Sequence, residues 1–148
     1  WECPWLRCET FEPAKGVSML LARILLWTNG ASFLLYGLAC LASPLLVAGY
    51  AGMELPGASA MTEVAAMYGG LQAGVGGLFI YHGMREERFQ SGLMLMFVLL
   101  GSLALARTLG LLLYGTSPYN LGATVYESLS ALLALFAMRL IAAKRSGA

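Results

Sequence analysis

The stretch SGLMLMFVLLGSLALARTLGLLLY, from Ser91 to Tyr114, holds one charged side chain, Arg107, along its whole length. A helix rising about 1.5 Å per residue needs roughly 20 apolar residues to cross about 30 Å of hydrocarbon, and this run meets that length. Its apolar residues do not alternate with polar ones, and it is too long for a barrel strand of roughly 9–11 residues. Lipid offers the backbone no hydrogen bonds, so a continuous apolar run satisfies its own amides by coiling into a helix.

Three further runs have the same character: Val17 to Ala42, Ala58 to His82, and Leu121 to Ala142. Between them lie Ser43 to Gly57, Gly83 to Arg88, and Gly115 to Asn120, segments rich in the Gly, Pro, Ser or charged residues that stop helices. The expectation is an all-α, polytopic membrane protein built as a four-transmembrane-helix bundle. Composition agrees, because 59% of the 148 residues are hydrophobic and only 11% charged, against about 25% charged in soluble domains. The net charge of +1 and the absence of a basic patch exclude nucleic acid as a partner.

Residues 1–18 read as a polar N-terminal extension, whereas Met19-Leu20-Leu21-Ala22-Arg23 would open a membrane domain, so 19–148 is taken as one four-helix unit. The extension could be a mis-assigned start. The first apolar run is longer than the roughly 7–15 residues of a signal-peptide core and is read as retained.

Basic residues orient the bundle. Arg7, Lys15 and Arg23 precede or open the first run, Arg85 and Arg88 separate the second from the third, and Arg139, Lys144 and Arg145 close the fourth. The other two loops contain no Lys or Arg, so the positive-inside rule puts both termini and the middle loop in the cytoplasm. The expected location is a bacterial cytoplasmic (inner) membrane, with membrane lipids and other membrane-protein subunits as partners.

Cys3, Cys8 and Cys40, with His82 as the single histidine, do not form a metal-ligand set, so neither a metal nor a cofactor is expected. On the cytoplasmic side Cys3 and Cys8 read as free thiols. His82 reads as a solvated residue at the inner end of its helix.

Three ionisable residues fall inside the runs: Glu63, Arg107 and Glu127. A charge at the bilayer centre costs roughly 2.5–3.5 kcal/mol or more, so each needs a partner or a purpose. The topology places all three in the outer half of the membrane. Counting at 100° per residue puts Ala66, Gly70, Gly74 and Gly77 on the face of Glu63; Ala104, Gly110, Leu111 and Tyr114 on that of Arg107; and Ala123, Thr124, Ser130, Ala131 and Ala134 on that of Glu127. Small residues allow close helix approach, so all three charges are expected to face the bundle. Either Arg107 pairs with Glu63, Glu127 or both as a structural ion cluster, or the cluster binds a ligand. Two carboxylates around one guanidinium leave a net −1, so one carboxyl keeps its proton or a cationic or hydrogen-bonding ligand completes the site.

Gly70-Leu71-Gln72-Ala73-Gly74 is a G-x-x-x-G spacing in an apolar helix, and Gly70, Gly74 and Gly77 with Tyr68 are read as helix-packing residues. Gln72 and Asn29 lie deep enough to hydrogen-bond across helices. Trp27, Tyr36, Tyr81, Tyr114, Tyr119 and Tyr126 are read as interfacial aromatic belts.

The stretch Thr62 to Gln72, with Ala106 to Gly110 and Tyr126 to Leu129, resembles the bacterial DUF4345 family of small four-helix membrane proteins. The likeness covers nearly everything after Met19. It implies an acidic residue followed by an arginine and Tyr-Gly-Gly in the second helix, an arginine in the third and a glutamate in the fourth. Glu63, Tyr68, Gly69, Gly70, Arg107 and Glu127 match that pattern; Ala65 stands where the resemblance implies an arginine. The resemblance implies no known activity.

Two functions follow as expectations. One is a non-catalytic accessory or structural subunit packed against a larger membrane complex. The other is a binder or carrier of a small molecule, lipid or proton using the Glu63, Arg107, Glu127 cluster. An enzyme ranks below both, since no nucleophile elbow or histidine metal box is present and no catalytic residue can be named.

Overall fold

A computed structural model describes residues 13–146. Among them no strand occurs, and four helices are long and apolar enough to cross a membrane: Gly16–Ala42, Ala58–Gly83, Glu86–Tyr114 and Pro118–Ala143. Helix α1 is Pro13–Ala42, the short α2 is Pro44–Ala51, and the second span is α3 (Ala58–Val64), a π-helical turn (Ala65–Gly70) and α4 (Leu71–Gly83) in series. Helices α5 (Phe89–Tyr114) and α6 (Pro118–Ser146) complete the chain. The helix therefore begins upstream of Met19, while residues 1–12 of the expected polar extension, with Cys3, Cys8 and Arg7, lie outside the described residues. So do the side chains of Lys15, Lys144 and Arg145.

The segment 43–57, expected as a loop, contains α2. Its Pro44 occupies the first turn, where a missing N–H costs nothing, and Gly52 closes it at φ 70. Helix α6 begins at Pro118 for the same reason: Ser117 Oγ accepts a hydrogen bond from the Asn120 N–H at 3.2 Å and caps the helix. The helix thus starts earlier than Leu121.

Helix α1 packs mainly on α4, and α5 mainly on α6, with α1 also against α6. The α1–α4 seam is built on glycines seven residues apart on both helices. A Cβ at Gly76 would lie 2.4 Å from the Leu34 nitrogen, one at Gly37 would lie 2.5 Å from the Ala73 nitrogen, and one at Gly69 would meet Leu41. With lipid outside, association rests on close van der Waals packing, and glycine permits the backbones to touch.

Those packing glycines are not the ones expected. Gly70, Gly74 and Gly77 are exposed, and a Cβ at Gly74 or Gly77 would meet nothing within 4 Å. Glu63, from which they are counted, is itself exposed while its neighbour Val64 is buried, and a π turn follows. It inserts one residue into the helical repeat between Ala65 and Gly70. The interior face of α4 passes instead through Val75, Gly76, Phe79 and Gly83, and within the bundle Gly70, Gly74 and Gly77 are not packing residues.

The apolar core occupies the half of the bundle near the Gly83–Phe89 turn. Leu26, Phe79, Phe89, Leu93, Met96, Leu100, Ala134 and Ala137 are fully buried there. Phe33 packs edge-on against Phe79 at 5.9 Å and marks its upper limit. Beyond Phe33, toward the Gly52 and Gly115 turns, the interior becomes polar.

Candidate functional site

Arg107, on α5, reaches the facing side of α6. Its Nε donates to Glu127 Oε2 at 3.0 Å and Oε1 at 3.3 Å, and its Nη2 donates to Oε1 at 2.8 Å. Nη1 donates to Asn120 Oδ1 at 2.8 Å. Asn120 and Glu127 stand seven residues apart, so they share one face of α6, and the Ser117 cap holds the turn that presents Asn120. The Glu127 side chain is 7% exposed and that of Arg107 26% exposed. A fork-to-carboxylate pair of this kind offsets the cost of taking both charges out of water, provided its remaining hydrogen bonds are also made.

The pair forms one wall of a chamber of about 330 Å³ between α1, the second span, α5 and α6. Around it stand Tyr36, Tyr68, Tyr119, Tyr126, Ser32 and Gln72. The Tyr36 and Tyr119 hydroxyls lie 3.0 Å apart. Tyr126 donates to Asn29 Oδ1 at 2.7 Å, and Asn29 Nδ2 donates to the Leu25 carbonyl at 2.9 Å. A second hollow of about 540 Å³ lies between Arg107 and the Gly52 and Gly115 turns, lined also by Asn120 and Ser117. Arg107 therefore separates the chamber from that end of the bundle.

Of the three expected charges, the structure joins Arg107 and Glu127 and leaves Glu63 apart. Glu63 is exposed and forms no ion pair or hydrogen bond among the described residues. It stands instead in a neighbouring hollow of about 470 Å³ between the second span and α5, with Met67, Leu71, Leu99 and Ser102. Tyr68, Gln72, Phe33 and Leu103 line both this hollow and the chamber, so the two adjoin. The π turn explains the arrangement, because Tyr68 and Gln72, on either side of its end, share the wall that holds Glu63.

Several site residues escaped the sequence reading. Tyr36, Tyr119 and Tyr126, expected in interfacial belts, hydrogen-bond inside the bundle. Asn120 was placed in a loop and instead holds Arg107. A seven-residue rhythm was the available signal: Asn29 and Tyr36 on α1, and Tyr119 with Tyr126 and Asn120 with Glu127 on α6, repeat at one helical face. Trp27 and Tyr81 sit toward the other end, where Trp27 donates to the Gly83 carbonyl and Tyr81 stacks against Arg88. His82 Nδ1 donates to the Leu78 carbonyl of its own helix at 2.8 Å.

Among the described residues, no group of His, Cys, Asp and Glu could hold a metal ion, and Cys40 is a buried free thiol. The chemistry on offer is hydrogen bonding. Of five guanidinium N–H groups, Arg107 uses Nε–H and one on each Nη, which leaves two. Among the described residues Tyr68 and Gln72 make no hydrogen bond through their side chains, so the chamber holds donors and acceptors in excess of its internal needs.

Residues 21–138 match the model of the family described as Domain of unknown function (DUF4345), and the chain belongs to that family. The matched span contains Glu63, Arg107 and Glu127. Neither a curated protein nor a solved structure matches the chain.

Proposed function

We propose that this DUF4345 protein is a non-catalytic, multi-pass protein of the bacterial cytoplasmic membrane that holds a small molecule or lipid headgroup in the chamber beside Arg107 and Glu127. Its termini and the Arg85–Arg88 turn face the cytoplasm, because every basic cluster near a span end lies on that side. The chamber then opens toward the outer leaflet.

One observation carries the binding role: a chamber of about 330 Å³ is lined largely by polar side chains, and those of Gln72 and Tyr68 make no hydrogen bond among the described residues. A polar group at membrane depth with no water and no partner costs several kcal/mol, so a site kept polar and open is stabilised when a ligand supplies the missing bonds. Mass spectrometry of molecules retained by the protein from native membranes tests this. A Gln72→Leu, Tyr68→Phe variant leaves the Arg107–Glu127 pair intact and should lose a molecule that the wild type carries. Identical retained molecules in both would remove the proposal.

The exposed glycines favour a second reading. Gly74 and Gly77 present bare backbone to the outside of the bundle, a surface on which a helix of another membrane subunit can seat closely. Extraction in mild detergent tests it: a chain that always migrates alone excludes the accessory role.

A further inference from the structure

The hollow beside Glu63 differs from the chamber in shape and in charge. Helix α4 touches α5 only along a narrow seam, since α1 and α6 take most of the packing of those two helices. The gap opens sideways, and its lower part is apolar, with Leu71, Val75 and Leu99. At its upper part stands the Glu63 carboxylate, without an ion pair among the described residues. Arg107 cannot neutralise it, since Glu127 already takes that charge through two guanidinium nitrogens.

Taken together, Glu63, Arg107 and Glu127 sum to −1, and the unmatched charge is at Glu63. Next to it stand Tyr68 and Gln72, whose side chains make no hydrogen bond among the described residues and so offer a hydroxyl and an amide donor. The sequence of features from Glu63 inward is a cation acceptor, then hydrogen-bond donors, with an apolar channel descending alongside. Its complement is an ammonium group, an anionic oxygen-rich group, and a hydrocarbon chain.

From this charge complementarity we infer that the gap between the second span and α5 is a lipid site for a zwitterionic ammonium–phosphate headgroup of the phosphatidylethanolamine class. The amine pairs with Glu63, the phosphate accepts hydrogen bonds from the Gln72 amide and the Tyr68 hydroxyl, and one acyl chain lies along Leu71, Val75 and Leu99. This inference rests on the binding role proposed above and names the ligand class.

The test is native mass spectrometry of the full chain, released from micelles containing equal amounts of phosphatidylethanolamine and phosphatidylglycerol. The two differ in the amine, which phosphatidylglycerol lacks. The wild type should retain phosphatidylethanolamine preferentially, and Glu63→Gln should reduce that preference about tenfold, the effect of losing about 1.4 kcal/mol of a charge-assisted contact. Glu63→Asp, which keeps the charge, should restore most of it. Glu63 is exposed, so the bundle should stay folded in both variants, as circular dichroism can verify. Equal retention of the two lipids by the wild type, or an unchanged preference in Glu63→Gln, overturns the lipid site. If in that case Gln72→Leu still releases another molecule, the chamber binds but its ligand is not this lipid; if Gln72→Leu changes nothing, both readings fall.

Discussion

Arg107 and Glu127 meet across the α5–α6 interface with both carboxylate oxygens engaged, at N···O distances between 2.8 and 3.3 Å. The contact joins two helices already linked by the short Gly115–Ser117 turn, and it stands at the depth where the apolar core gives way to tyrosines. Its energetic character follows from burial. The pair itself is worth little more than an apolar replacement, whereas either charge left alone is costly.

Glu127→Gln or Arg107→Met should each destabilise the bundle by about 3–5 kcal/mol, since each strands one buried charge. The double replacement Arg107→Met, Glu127→Met should cost less than the sum of the two. Unfolding in mixed micelles under a denaturing detergent measures all three, and strictly additive losses would show that the two side chains do not interact.

Tyr126 and Asn29 form a further interhelical hydrogen bond of the polar region, at 2.7 Å with Asn29 only 4% exposed. Removing the hydroxyl in Tyr126→Phe leaves a buried amide oxygen without its donor, which costs about 1–3 kcal/mol. Tyr36→Phe should cost less, because the partner it leaves is the half-buried Tyr119 hydroxyl, whereas Tyr126→Phe leaves the buried Asn29. An order of stability opposite to this one would place the stress on the Tyr36 pair.

Glycine position separates packing from surface. Gly76→Ala and Gly37→Ala would drive a methyl into opposing backbone and should cost about 1–3 kcal/mol through overpacking. Gly74→Ala and Gly77→Ala should leave bundle stability unchanged or slightly raised, alanine being the better helix former. Thermal aggregation of the four variants in detergent ranks them directly; a loss at Gly74 equal to that at Gly76 would contradict the seam described here.

Orientation is open to chemical labelling in intact cells. A membrane-impermeant maleimide should modify Glu54→Cys and Thr116→Cys and spare Glu87→Cys, in a chain whose native cysteines are replaced by serine. Labelling of Glu87→Cys alone would invert the topology.

Much of the fold is legible in the amino-acid sequence. Four apolar runs of spanning length, broken by Pro, Gly and charged residues, suffice to predict four helices, because lipid admits no other conformation for such runs. The short turns force neighbouring spans to be antiparallel, and this alone brings Arg107 and Glu127 to one depth. The turns themselves were misjudged where Pro44 and Pro118 open helices, since a proline in the first turn and a proline in a loop look the same in one dimension.

Apolar run length and polar punctuation thus suffice for the helix count, the placement of the charges along their spans and the apolar surface they share. Which way each side chain turns depends on how the helices dock. The π turn at Ala65–Gly70 advances the second span by one residue, a phase change that a constant 100° count cannot register. The tight packing falls at Gly69 and Gly76, and Gly70, Gly74 and Gly77 stay on the exposed face with Glu63. Glu63 stands beside a lateral gap, while Arg107 closes on Glu127 across the α5–α6 interface. Three tyrosines with the composition of an interfacial belt became the walls of a chamber, because an aromatic residue with a hydroxyl suits a membrane interface and a buried hydrogen bond equally well, and the choice rests on which helix faces which.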